Sequence, residues 1–470
     1  MKYKVTITAL LAACASTVLG NAQLVNGNWY DSAVERIMFT NWDQVGTYNK
    51  VADMSNGQCV MEQVGFNGSM SPLDGEVSLD FSACCGRRTN ELSQISWHFR
   101  GPMHLKQFAF YTPGSNGAKR GFKPSSSERR QVHRHPARAV GDWVTVVMDG
   151  KTQSWQNPWA GTASATPAPT SSSVDVPLAP MPSSNIQAHV PSAPTAEKNP
   201  SVPAVNAGAG NWGRQAYYNA DTAIADGLVF LNNMGGQGSG VFDYQMGNSL
   251  SYMAADTKSG SASPQVLANT LIEDNSEVII YSDKPCEGND CGAYRPGTVA
   301  YHGFDGSSKL FLLEFDMPLS GKTGFNMDMP ATWMLNANIP RTQQYGDCSC
   351  WASGCGEWDI FEILDSGNSR AISAIHAGAT SGTETHYFNR PVDRTIKAAV
   401  IFDSDHLTGQ VVVLSDDTTF DAVIADKVVA MYGYKSPAPG PQVGNARIAG
   451  QGGSAGAVEK LTSVFKLGSG

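Results

Sequence analysis

The chain reads as an all-β protein, a two-sheet antiparallel sandwich preceded by a smaller N-terminal β domain and a disordered linker. Three observations predict this. Short runs rich in Val, Ile, Leu, Phe and Tyr recur along the chain, broken by Gly, Pro, Asn and Asp. Glycine and proline number 48 and 25 among 470 residues, and only 16% of residues are charged, a balance that suits loop-rich β architecture with added low-complexity spacer. Amphipathic helical periodicity is scarce outside the last twenty residues. The net charge of −9 argues against a nucleic-acid partner.

Taken in order, residues 1–22 read as a secretory signal. Lys2 and Lys4 precede an apolar run from Val5 to Leu19, and Gly20-Asn21-Ala22 offers a small-x-small cleavage site. No other segment has the roughly 18 apolar residues of a membrane span. The C-terminus lacks the hydrophobic tail of a lipid-anchor signal. The expectation is an exported, unanchored protein.

Residues 23–113 carry alternating runs such as Glu76–Phe81, Gln94–Phe99 and Leu105–Tyr111, which predict the N-terminal β module. Asn67-Gly68-Ser69 is an N-glycosylation sequon there. Residues 114–208 collapse into Ser, Pro, Ala, Thr and basic residues, including the dibasic pairs Lys119-Arg120 and Arg129-Arg130. This is the composition of an extended, O-glycosylated linker, with Val140–Val147 as an isolated strand within it. Order returns over 209–450. Runs such as Leu228–Leu231, Val278–Tyr281, Lys309–Phe315, Ile396–Phe402 and Val411–Leu414 predict the main sandwich, and 451–470 form a tail.

Export makes the cysteines disulfide candidates. With Cys14 removed, eight remain: Cys59, Cys84 and Cys85; Cys286 and Cys291; Cys348, Cys350 and Cys355. Three precede the linker and five follow it. Both counts are odd, so either a bridge joins the halves or each half keeps a free thiol. Zinc is the competing reading of Cys348-x-Cys350-x4-Cys355, disfavoured without a paired His at finger spacing.

The chemistry concentrates in Cys355–Leu364. Glu357, Asp359 and Glu362 fall within six residues, separated by Trp358, Ile360 and Phe361. In a strand, Glu357 and Asp359 share a face. Glu362 has the opposite parity and joins them only if a β-bulge takes up one residue between Asp359 and Glu362. Clustered carboxylates raise at least one pKa, placing a protonated acid beside an ionised carboxylate. That pairing, across a scissile bond, is the requirement of retaining glycoside hydrolysis. The competing readings are an acid-rich solvent face of an edge strand and a calcium site.

The string Pro330–Asn336, then Gly356–Glu362, then His376 one strand later, resembles the catalytic core of the β-jelly-roll (concanavalin-like) glucanases of the laminarinase type, glycoside hydrolase family 16. Asp226–Asn232, Tyr294–Gly306, Ile339–Thr342 and Cys348–Trp351 resemble the fungal cell-wall glycosyl hydrolases of the yeast "target of SBF" wall-protein type, which also carry a vicinal pair like Cys84-Cys85. The resemblance implies Glu357 as nucleophile, Glu362 as general acid/base, and Asp359 between them tuning the charge. Trp358 stands where those glucanases have an aliphatic residue, and its parity turns it into the sheet interior. Trp333 and Trp351 are candidate sugar platforms and His376 a candidate partner of nucleophile or substrate, each also readable as a core residue. The implied protein is a secreted monomer of the cell wall acting on β-1,3-glucan without cofactor or metal. Its products come from hydrolysis or transglycosylation, and the rival is a glucan-binding wall protein without catalysis.

Overall fold

The computed structural model describes residues 22–40, 45–54, 57–67, 94–114 and 205–433 (apart from 237, 289, 378–379 and 384), with short segments at 78–79, 88–89, 143–148, 151–156 and 443–447. The signal, most of the linker, the tail, Cys84, Cys85 and the basic pairs lie outside them.

The strands that build the site are β1 (Arg36–Thr40), β2 (Val45–Asp53), β3 (Val60–Asn67), β4 (Ile95–Arg100), β5 (His104–Pro113), β6 (Asn211–Asn219) and β7 (Leu228–Asn232). They continue with β8 (Glu277–Ser282), β9 (Lys309–Asp316), β10 (Ala331–Asn336), β11 (Glu357–Ile363), β12 (Arg370–Ala377), β13 (Ile396–Asp403) and β14 (Thr408–Leu414). One sheet of nine strands has the central order β6-β5-β9-β13-β14-β1. Another of ten has the central order β7-β8-β4-β10-β11-β12. Neighbours are antiparallel, except that Val443–Arg447 runs parallel to β1.

The inner faces of the two sheets meet in one apolar core. Trp97, Phe99, Met334, Trp358, Phe361 and Ile375 from the ten-stranded sheet pack against Phe39, Phe108, Phe110, Phe311, Phe315 and Phe402 from the other. This is the aligned sandwich arrangement. The runs at 309–316 and 396–403 are nearly continuous in apolar residues rather than alternating, because their strands are buried on both faces. A second cluster of Tyr111, Leu310, Leu312, Ile401 and Val412 lies on the outer face. It is covered by Phe420, Ile424 and Val429, the last from α1 (Asp426–Tyr432). Among the described residues no helix is long and apolar enough to cross a membrane.

The boundary expected at residue 113 needs correction. β4 lies between β8 and β10, and β5 between β6 and β9, in the middle of both sheets. β1 pairs with β14 at the far side of the nine-stranded sheet. The described strands of residues 95–113 therefore do not form a smaller domain; they complete the sandwich of the C-terminal half. Strand pattern shows that a segment will pair but not with which partner, and the low-complexity stretch after it imitates a domain boundary. The turn joining β4 to β5 also ties into the C-terminal half, bridging to Asp274 and Ile272. A side chain at Gly101 would fall onto the carbonyl oxygens of Ile272 and Glu273, so only glycine fits this crossing. Within the expected linker, Trp143–Met148 pairs with Lys151–Gln156 as a hairpin rather than standing as a lone strand.

Candidate active site

The ten-stranded sheet sets the site by register. β11 has the sequence EWDIFEI. Trp333 opposes Asp359 and Thr332 opposes Phe361, so Ile360 is an extra residue on that side. On the other side Asp359 opposes Ala374 while Glu362 opposes Ile372, again one residue in excess on β11. The bulge sits between Asp359 and Glu362. Trp358, Ile360, Phe361 and Ile363 all enter the core, which turns Glu357, Asp359 and Glu362 to the opposite face. Trp358 packs edge-on against Phe39 and Phe402, with ring centroids at 5.3 Å in both cases, so this larger residue serves packing.

Directly opposed residues share a face, and three rows cross the sheet on the carboxylate side. One runs Glu277, Arg100, Ala331, Glu362; the next Ile279, His98, Trp333, Asp359; the third Ser96, Leu335, Glu357, His376. His376 Nε2 lies 3.1 Å from Asp359 Oδ2. Arg100 Nη2 lies 3.6 Å from Glu362 Oε1. The Trp351 indole N–H donates to Glu357 Oε2 at 2.7 Å.

The electrostatics follow from this crowding. Burial, then the charge of Asp359, pushes Glu357 up to about 8, against opposing pulls from His376 and the Trp351 hydrogen bond. The same two causes push Glu362 up to about 7, opposed by Arg100 and His376. Burial works against a charge on His376, but the hydrogen bond and charge of Asp359 outweigh it, and the imidazole is pushed up to about 9. Near neutral pH the trio therefore keeps a proton and faces an imidazolium.

The predicted platforms fare differently. Trp333 lies in the cleft-side rows but is only 6% exposed. Its ring stacks on His98 at 5.1 Å, Arg100 lies 5.8 Å from its centroid, and Tyr48 from β2 joins the same cluster. Trp351 is 40% exposed and stands beside Glu357.

The chain matches two halves of one family description: the cell wall protein YJL171C/Tos1 C-terminal region over residues 210–432 and its N-terminal region over residues 35–82 and 91–113. It belongs to the Tos1/YJL171C cell-wall protein family. The curated relatives carry the name "Probable circularly permuted 1,3-beta-glucanase". One from Arthroderma benhamiae is 40% identical over 86% of this chain and 90% of its own. A Candida albicans TOS1 is 36% identical over 90% and 96%, and a Saccharomyces cerevisiae TOS1 is 36% identical over 93% and 98%. These names support a glucan-acting hydrolase of the cell wall. No solved structure matches the chain.

In this Tos1/YJL171C member the cysteines resolve the odd counts. Cys59 pairs with Cys348 across 289 residues and joins the two halves, Cys350 pairs with Cys355, and Cys286 with Cys291. The zinc reading of Cys348, Cys350 and Cys355 fails because all three sulfurs are in disulfides. Cys286, Asp290, Cys291 and His302 place donor atoms within 4.8 Å of one another, but the two sulfurs are bonded together and His302 hydrogen-bonds Asp290 and Gln94. Asn67 ends β3, and the rest of its sequon lies outside the described residues.

Four residues of the cleft escaped the sequence reading: His98, Arg100, Glu277 and Tyr345. One signal was available, since Ser96, His98 and Arg100 alternate with Trp97 and Phe99, the pattern of a strand with one polar face.

Proposed function

We propose that this Tos1/YJL171C member acts on cell-wall β-1,3-glucan by retaining double displacement, ending in hydrolysis or in transfer to another sugar chain. The observation that carries it is the bulge that returns Glu362 to the face of Glu357 and Asp359, in surroundings that keep one proton on the pair at neutral pH. Glu357 is the nucleophile. The pair shares one proton, and the reactive form is the one that holds it on Glu362. There the Trp351 N–H and the imidazolium of His376 compensate the charge on Glu357, whose oxygen bonds to the anomeric carbon as the glycosidic C–O bond breaks. Glu362 gives its proton to the departing oxygen, and the carboxylate it becomes is compensated by Arg100. It then takes a proton from water or a sugar hydroxyl, whose oxygen displaces Glu357. Asp359, held by His376, keeps the two glutamates elevated and separate in role. The placement of β4 and β5 among strands of the other half is the order a circular permutation leaves, in keeping with the relatives' names.

The test is mass spectrometry of products from defined laminari-oligosaccharides in 18O-labelled water, with wild type, Glu357→Gln and Glu362→Gln. Hydrolysis labels the new reducing end, whereas transfer gives longer unlabelled chains. Identical profiles for all three proteins would refute catalysis at this site. Glucan capture that survives both substitutions, without products from any of them, would establish the binding protein instead.

A further inference from the structure

A second polar cluster occupies the far end of the Glu362 row. Glu277 shares that row with Arg100 and Ala331, three strands away, or roughly 14 Å at the usual strand spacing. Its carboxylate is saturated with donors. Oε1 accepts from His98 Nδ1 and Gln344 Nε2, both at 2.7 Å. Oε2 accepts from the Tyr345 hydroxyl at 2.6 Å and Asn233 Nδ2 at 3.4 Å. Asn233 also donates to Gln344 Oε1 at 2.9 Å. With both oxygens taken, Glu277 has no capacity left for a ligand; it anchors the groups around it.

The group anchored most conspicuously is Tyr345. Its hydroxyl is tied to the cleft floor while the residue stays 44% exposed. Trp351 has the same construction, with its N–H tied to Glu357 and the residue 40% exposed. Pinning the polar tip of an aromatic while leaving its face open makes a surface suited to the C–H face of a pyranose, because the ring keeps one orientation without burying its apolar side. Both aromatics sit on one loop, fastened between them by Cys59–Cys348 and by Gln343, which accepts from the Cys348 N–H and donates to Met246 O.

We propose that Tyr345, oriented by Glu277, is a second sugar-stacking subsite along the glucan chain, to one side of the bond at Glu357 and Glu362. It selects long chains over short ones. This rests on the glucan-acting reading above. Glu277 is a positioning residue and Tyr345 the contact.

The experiment compares wild type, Tyr345→Ala and Tyr345→Phe on a series of laminari-oligosaccharides from short to long. It reads kcat/KM and, in the Glu357→Gln background, binding by calorimetry. The expected result is a roughly tenfold fall in the long-to-short ratio for Tyr345→Ala, carried by KM. Tyr345→Phe, which keeps the ring but loses its tie, should give a smaller fall. An unchanged ratio overturns the proposal, as does absence of both cleavage and binding for every chain length in the wild type. Cleavage with an unchanged ratio would sink the subsite alone. Tyr345-dependent binding without cleavage would support the subsite and sink the catalytic reading.

Discussion

Replacing Glu357 with Gln should stabilise the fold at alkaline pH and leave it unchanged in acid. Gln has the shape of the neutral carboxyl and still accepts from Trp351, so the substitution removes only the option of charge. In the unfolded chain Glu357 ionises at the ordinary glutamate value of 4.5, and in the folded protein burial and Asp359 raise this to about 8. Below 4.5 both states hold the proton and the site contributes nothing. Between 4.5 and 8 the unfolded chain has released a proton that the folded one retains, so stability falls as pH rises, and the full cost stands above 8. At 1.36 kcal/mol per pH unit that rise corresponds to about 5 kcal/mol. Part of it is mutual repulsion within the trio, and Glu357 is partly open to solvent, so about 2 kcal/mol is expected from the single change. For a domain of this size that means a Tm gain of about 3–4 °C. Thermal unfolding of both proteins at pH 4 and pH 8.5 reads it directly. A difference that is the same at both pH values, or a less stable variant at pH 8.5, would refute the assignment of Glu357 as a carboxylate strained by its surroundings.

Removing the imidazolium with His376→Asn takes away a charge that lowers both glutamates, so both limbs of the kcat/KM profile should move to higher pH, measured on a soluble glucan. Arg100→Met removes the cation that holds Glu362 down; its acid form should persist to higher pH, moving the alkaline limb up with a fall in kcat. The double change Cys59→Ser, Cys348→Ser opens a loop of 289 residues. The chain-entropy limit for that length is about 5–6 kcal/mol, and denaturant unfolding should show a loss of at least about 2 kcal/mol.

What the chain discloses without a structure follows the range of the interactions involved. The carboxylate run and its parity are local, and strand period showed that Glu362 could share the face of Glu357 and Asp359 only with one extra residue between them, which Ile360 supplies. The inter-half bridge was half legible, because odd cysteine counts on both sides admit it, but nothing in the spacing names Cys59 and Cys348. Arg100, His98 and Glu277 act on or beside β11 from strands 80 to 260 residues earlier in the chain, and pairing at that separation leaves no periodic trace. Trp333 shows the same limit from the other side. Its position in the cleft followed from the strand it occupies, but its burial depends on His98, Arg100 and Tyr48, all contributed by the first hundred residues.

That dependence makes the N-terminal half part of the site. The hairpin of β2 and β3 places Tyr48 and Val64 against Ala331, Trp333 and Leu335 on the cleft face. Asn49 exchanges hydrogen bonds with Ser353, inside the Cys350–Cys355 ring that carries Trp351. Two disulfides and this backbone clasp fix the exposed indole over Glu357, and β4 brings Arg100 to Glu362. A C-terminal half alone would keep all three carboxylates of β11 but lose Arg100, the charge opposing Glu362, and the clasp on Trp351. The proposed acid and nucleophile would no longer be held apart by different partners. The long low-complexity segment between the halves therefore connects two parts of one sandwich, and under the proposed mechanism the site is complete only when both halves meet.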